Sequence, residues 1–226
     1  ECKIYGKGFN GYRYKKNLTI NSENSGTLGR LLLGLLINTQ NKIKIIGDKS
    51  LSKRDFKRVS DPLSKFGAKF KLKKNKYLPL SIIGCSELRP INYIEKKGSA
   101  QCKSAVIFGA MRSNGTSTIK AKKSRNHTEL LCKYLNLPIK VKNKKNHDEI
   151  KISKVNFIKP LIYNIPSDIS SSAFFMVLTA LSHNSKLKIK NVNINPSRTG
   201  IIKILKKMGI KILFENQKIY KGEKIA

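Results

Sequence analysis

Apolar and polar positions switch between two periods along this chain, and the switch recurs three times in the same order. A small polar group comes first: Glu23-Asn24-Ser25-Gly26-Thr27, then Gly98-Ser99-Ala100-Gln101, then Ser167-Asp168-Ile169-Ser170-Ser171. Each precedes an apolar run, at residues 31–36, 105–110 and 173–178. Serine and aspartate accept hydrogen bonds from the free N–H groups of a first helical turn, so each group predicts a capped helix. These runs are apolar almost all round, which predicts helices that lie inside the fold. A period-2 strand follows each one, at residues 42–46, 117–121 and 186–192. A second helix with one basic face is predicted over 51–66, 126–135 and 198–208, ending at Gly67, Asn136 and Gly209, residue types that tolerate a left-handed turn. Strands resume at 68–72, 138–141 and 210–214, with a further strand before the next helix, as at 80–83.

This is a repeat of about 70 residues, too long for a thin solenoid. It predicts an α/β (α+β) chain in which the apolar helices of successive units pack together around an axis. Residues 140–164 are lysine-rich with isolated Ile and Val, and predict a hairpin leading into a crossing between domains. The boundary is placed near Tyr163 to Pro166, giving 1–164 and 165–226.

Charge changes the picture only in part. The 226 residues carry 47 Lys+Arg against 13 Asp+Glu, a formal net charge of +34, which attracts anions of any kind. The lysines are scattered through every segment, and 8 Tyr and 9 Phe are dispersed with no Trp. A nucleic-acid reader would show a basic stripe interleaved with stacking aromatics, so the charge reads as a basic, solvated surface. Cys2, Cys85, Cys102 and Cys132 form no C-x-x-C pair, and His127, His147 and His183 stand alone, so neither a metal site nor a disulfide framework is written here. The apolar stretches fall far short of the roughly 20 residues of a membrane span, and a reducing cytoplasm fits the cysteines. The chain begins at Glu1 and not at methionine, so the presence of a targeting segment upstream is not read from it.

The caps also carry chemistry. A helix N-terminus offers unpaired N–H groups and partial positive charge to a phosphate or carboxylate. The repeat places Gly26-Thr27, Ser99-Ala100-Gln101, Arg54 and Ser124-Arg125 at equivalent ends of its units, predicting one face rich in hydroxyl, amide and guanidinium donors. Arginine binds carboxylate or phosphate through two parallel N–H bonds, which lysine does not reproduce. Arg30, one turn after the first cap, is either part of that face or a surface charge. No Ser-His-Asp set, Cys-His pair or carboxylate pair is visible, so the segment reads as one that binds.

Asn24-Ser25-Gly26-Thr27-Leu28-Gly29-Arg30-Leu31-Leu32-Leu33-Gly34 resembles the N-S-G-T-x-x-R-L-L-L-G signature of the 5-enolpyruvylshikimate-3-phosphate synthases. The segments starting at Gly47 (G-D-K-S-L-S-K-R), Ser99 (S-A-Q-C-K-S-A), Ser124 (S-R-N-H-T-E) and Asn195 (N-P-S-R-T-G) are similar to four more of that family's motifs, in the family's order. The resemblance implies the enolpyruvyl transferase fold: two domains of three βαβαββ units each, closing on substrates held between them. It implies a 3-phosphoshikimate 1-carboxyvinyltransferase, in which the 5-hydroxyl of shikimate 3-phosphate adds to phosphoenolpyruvate and phosphate leaves, with no cofactor.

By that resemblance Asn24, Gly26, Arg54 and Gln101 would serve phosphoenolpyruvate, and Ser99, Ala100, Gln101, Ser124 and Arg125 shikimate 3-phosphate. The family's catalytic Lys, Asp and Glu segments have no counterpart here, so it also implies an internal piece: the last two units of one domain and the first of the other, from a protein that is monomeric when complete. Four positions depart from the pattern. Glu23 and Ser167 replace usual glycines, Asn126 a usual aspartate, and Asp55 a usual proline, placing a carboxylate beside Arg54 as a competitor for it. The sister transferase acting on UDP-N-acetylglucosamine shares the architecture. It would show a cysteine-bearing loop with Ala-Arg-Pro where this chain reads Lys53-Arg54-Asp55, and would lack the segment at Ser124. A basic nucleic-acid-binding protein and a non-catalytic structural module are the readings from other classes.

Overall fold

The computed structural model describes residues 4–9 and 17–226, which leaves Cys2 outside the described residues. The chain divides into two compact units, one formed by residues 1–124 with 137–158 and the other by 125–136 with 159–226.

The first unit contains the predicted repeat twice. Strand β1 (Leu18–Asn21), helix α1 (Gly26–Leu36), β2 (Ile43–Ile46), α2 (Lys57–Ser64), β3 (Lys69–Lys73) and β4 (Tyr77–Ile83) make one βαβαββ set. Strand β5 (Asn92–Glu95), α3 (Ala100–Ala110), β6 (Ser117–Lys122), α4 (His127–Tyr134), β7 (Ile139–Asn143) and β8 (His147–Ile152) repeat its order, although α4 packs in the second unit. The sheets have the same topology, β1-β2-β4-β3 and β5-β6-β8-β7, with the first pair parallel and the others antiparallel. Leu18 and Asn92, Gly26 and Ala100, and Ile43 and Ser117 open equivalent elements 74 positions apart, whereas Lys57 and His127 are only 70 apart. The four extra residues of the first set therefore lie between β2 and α2, in the loop that carries Arg54.

Alternation places the strands as expected. Ile43 and Ile45 of β2 face the core opposite Ile82 and Leu80, and Ile119 of β6 pairs with Ile150. Helices α1 and α3 start at the predicted caps, Ser25 accepting from the N–H of Leu28 and Ser99 from that of Cys102. They pack directly on each other: a Cβ on Gly34 would overlap the Ala105 carbonyl, so only glycine permits this approach. Around them, Leu33, Ile37, Leu63, Phe66, Val106 and Ala110 are fully buried.

Three expectations are corrected. The helix over 51–66 is broken into a 3-10 turn (Leu51–Lys53) and α2, because Arg54 is extended, with φ −82° and ψ 147°. The strands expected at 186–192 and 210–214 do not form. Among the described residues, 186–192 has only a single bridge from Val192 to Ser167, and a strand without hydrogen-bonded neighbours along its length is not one. The second unit contains instead α5 (Ile169–Leu181), α6 (Gly200–Lys207) and the antiparallel hairpin β9 (Lys218–Tyr220) and β10 (Glu223–Ile225). Its core gathers Ile169, Met176, Val192, Ile194, Ile202 and Leu205. The third correction concerns α5. Expected inside, it buries only Ile169 and Met176 and leaves Phe174 and Leu181 each 80% exposed.

Candidate anion-binding site

The site is built where the loops after β1, β2 and β5 meet the first turns of α1 and α3. After β1 the chain turns at Glu23, whose φ of 45° explains why glycine is usual there. The Asn21 side chain holds the strained residue, accepting from the N–H of Glu23 and donating to its carboxylate. The next residue, Asn24, reaches across to the loop after β2. Its Nδ2 donates to Asp48 Oδ2 at 2.6 Å and its Oδ1 accepts from Arg54 at 2.9 Å. Asp48 in turn accepts from the N–H of Leu51 at 2.6 Å, and that bond, followed by the one from Asn24, holds its carboxyl below the usual aspartate range. Gly47 fits because a Cβ there would come within 2.9 Å of the Glu23 carbonyl oxygen.

These contacts aim Arg54 at the N-terminus of α1. A Cβ built on Gly26 would lie 3.4 Å from the Nη1 of Arg54 and 3.3 Å from the Nη1 of Arg30, so two guanidinium groups converge on this glycine. Burial comes first, and the charges of Arg58 and Arg54 add to it, in lowering the pKa of Arg30 from its ordinary value. Gathering like charges beside a helix N-terminus raises the local potential, and an anion is the natural complement. Asp55 does not compete for Arg54. Its Oδ1 accepts from the N–H of Arg58, its Oδ2 lies 4.0 Å from Lys76, and its carbonyl accepts from Arg30 at 3.2 Å.

Gln101, in the first turn of α3, joins this cluster across 71 residues of sequence. Its Oε1 accepts from Arg30 at 2.6 Å and its Nε2 donates to Thr27 Oγ1 at 2.8 Å. Asn24, Gly26, Arg54 and Gln101 are therefore brought together. Ser99 and Ala100 lie at the same helix start, where the buried Glu95 carboxylate accepts from the N–H groups of Lys97 and Ser99. Gly98, at φ 70°, passes against the Lys123 carbonyl, which brings Ser124 beside this loop. Lys123 is held by Asp148 at 2.5 Å, and the Ser124 hydroxyl is buried with no hydrogen-bond partner among the described residues. The next residue, Arg125, is exposed and belongs to the second unit. Sequence reasoning placed Thr27 on the donor face and left Arg30 open between that face and a surface charge, without giving either a ligand. Thr27 was marked by its place beside Gly26 and Arg30 by its one-turn spacing to it, but the partner of Arg30 is on another helix.

In the second unit the remaining motifs meet at one buried carboxylate. Glu223 accepts from His127 Nδ1 at 2.6 Å, and from Asn193 and Asn195 at 3.0 and 3.3 Å. Asn195 also donates to Asn126 Oδ1 at 2.9 Å, so the asparagine that replaces a usual aspartate serves as an acceptor in this network. Ser167, the other departure from glycine, is accommodated by hydrogen bonds from its N–H to the Asn191 carbonyl and from its hydroxyl to that of Lys190. Asp168 caps α5 and pairs with Arg198, filling that helix start with the protein's own anion.

Comparison with known proteins extends this pattern. A family model described as EPSP synthase (3-phosphoshikimate 1-carboxyvinyltransferase) matches residues 3–224. The 3-phosphoshikimate 1-carboxyvinyltransferase of Caldicellulosiruptor bescii is 43% identical over 92% of this chain and 48% of its own length. That of Caldicellulosiruptor saccharolyticus is 41% identical over 99% of this chain and 52% of its own. The solved EPSP synthase from Acinetobacter baumannii superimposes with a TM-score of 0.84 at 34% identity, over 98% of this chain and 49% of that one. This chain thus spans about half the length of the relatives it matches. With two βαβαββ sets, an arginine-lined helix start and a match over nearly every residue, the chain belongs to the EPSP synthase family.

Proposed function

We propose that this chain supplies the phosphoenolpyruvate site and part of the shikimate 3-phosphate site of a protein that transfers the enolpyruvyl group to the 5-hydroxyl of shikimate 3-phosphate, releasing phosphate. The observation that carries the reading is the convergence of Arg30 and Arg54 on Gly26, with Gln101 tied to both Arg30 and Thr27. Arg54 and the N-terminus of α1 receive the anionic end of phosphoenolpyruvate, Asn24 aims Arg54, and Gln101 stands beside both ligands. Ser99, Ala100, Ser124 and Arg125 bind shikimate 3-phosphate, and the buried Ser124 hydroxyl, without a partner among the described residues, is a group a ligand would satisfy. These groups bind and orient, which lowers the entropic barrier to bringing two substrates together. The resemblance assigns proton transfer to segments outside residues 1–226. It also makes residues 1–164 the last two units of the first domain and 165–226 the first unit of the second, in a monomeric cytoplasmic enzyme of aromatic amino acid biosynthesis.

The test is Arg54→Ala in the full-length protein that carries this segment. Removing one partner of a desolvated charge pair costs about 2 to 5 kcal/mol, so kcat/KM for phosphoenolpyruvate falls by that amount while binding of shikimate 3-phosphate changes little. An unchanged kcat/KM for phosphoenolpyruvate removes Arg54, and with it the reading, from this site.

A further inference from the structure

We propose that Arg30 is a positioning residue that fixes Gln101 and the Arg54 loop in their working arrangement, an inference that rests on the reading above. Arg30 stands between three site segments. From α1 its Nη1 donates to Gln101 of α3 at 2.6 Å, and its Nη2 donates to the carbonyl of Asp55, the residue after Arg54, at 3.2 Å. Its guanidinium lies 5.2 Å from the centre of the Phe56 ring, a cation–π contact that holds the plane in place.

Arginine has only donors, so the group facing it on Gln101 is the carbonyl oxygen. The amide is then locked: its nitrogen faces Thr27, and of the two amide hydrogens one goes to Thr27 Oγ1. The second is left as a donor with a defined direction. The same guanidinium fixes the backbone beside Arg54, so one side chain sets the geometry of two groups that contact ligand in the proposed reaction. Lysine carries the charge but, as a single compact ammonium, does not span Gln101 and the Asp55 carbonyl in one plane.

That difference separates positioning from charge. In the full-length protein, Arg30→Lys and Arg30→Ala are expected to lower kcat/KM for phosphoenolpyruvate alike, by about tenfold or more, while the melting temperature of Arg30→Lys stays near that of the parent. Because Arg30 acts in part through Gln101, the double change with Gln101→Ala is expected to lose clearly less than the product of the two single losses, the remainder being the share carried by the Arg54 loop. Thr27→Val, which removes the other tether of Gln101 and leaves Arg30 intact, gives a smaller loss that disappears in the Gln101→Ala background, and should Arg30→Ala fail to fold, Arg30→Lys, which keeps the charge, decides the matter. Recovery of parental kcat/KM by Arg30→Lys, or multiplying losses in either double change, overturns the inference alone. Absence of any turnover by the parent protein overturns the reading on which it rests, and this inference with it.

Discussion

Helices α3 and α5 begin alike in sequence, with a polar cap and a long apolar run, and end in opposite environments. Eight of the eleven residues of α3 are buried, against two of the thirteen of α5. The difference is one of neighbours. α3 lies against α1 at a glycine contact, with α2 beside it, while among the described residues no second helix stacks on α5 in that way. The starts of the helices differ too. Ser25 is a neutral cap and leaves the start of α1 open to an outside anion; Ser99 is a neutral cap too, although the Glu95 carboxylate takes the N–H groups just before it, whereas Asp168 fills the start of α5 with a carboxylate paired to Arg198. A repeat fixes where a helix begins; the residues around that point decide whether it can receive a ligand.

The two units also offer different contacts to test, a close helix approach in the first and, beside the apolar core of the second, the carboxylate network of Glu223, and substitutions sharpen that contrast. The largest effect is expected at the contact of α1 and α3. Gly34→Val drives a side chain into the Ala105 carbonyl, and because backbone cannot rotate away as a side chain can, a loss of about 3 kcal/mol or more is expected in urea denaturation. A loss below about 1 kcal/mol would mean that the two helices slide apart at little cost.

A smaller loss, about 1 to 3 kcal/mol, is expected for Glu223→Gln, which disturbs a buried acceptor of three side-chain donors. Burial pushes the Glu223 carboxyl up, but the hydrogen bonds from His127 and Asn193, the His127 charge and the Asn195 amide bring it below the ordinary glutamate value. A carboxyl depressed in the folded state stabilises above its unfolded value and loses that contribution as pH falls through the folded one. The gap between parent and variant is therefore full near neutrality and closes below the usual carboxylate range. A gap that grows on acidification contradicts the network.

The smallest effect is expected on α5. Phe174→Ser changes an exposed side chain and shifts the denaturation midpoint by no more than about 0.5 kcal/mol in stability. It lowers aggregation of the 226-residue chain, measured by light scattering, since it removes exposed apolar surface. A loss of 2 kcal/mol or more would show that α5 is buried in solution, and the contrast with α3 would vanish.

Much of the first unit was legible from residue order because its signals are local. Ser25 and Ser99 bond to N–H groups three positions away, and the Ile-Lys-Ile alternation of β2 places its own faces whatever lies opposite. The motif residues Asn24, Gly26, Arg54 and Gln101 were likewise picked out one by one. Their gathering on one face was expected from the repeat as well; the contact that joins them was not, because it depends on Arg30 meeting Gln101 across two helices that approach closely at Gly34. The break at Arg54 escaped the helical pattern over 51–66 for a related reason: Asn24 and Arg30, from other segments, hold Arg54 and the Asp55 carbonyl out of the helix.

In the second unit the balance reverses. The caps and apolar runs of α5 and α6 could be read, but the strands expected at 186–192 and 210–214 could not be secured, since a strand needs hydrogen-bonded partners from elsewhere. The buried polar network of that unit, where Glu223 joins His127, Asn193 and Asn195, draws on positions up to 96 residues apart. Caps, turns and periodicity involve groups within one or two turns of each other, so residue order determines them; contacts across the fold exist only once packing has brought their partners together.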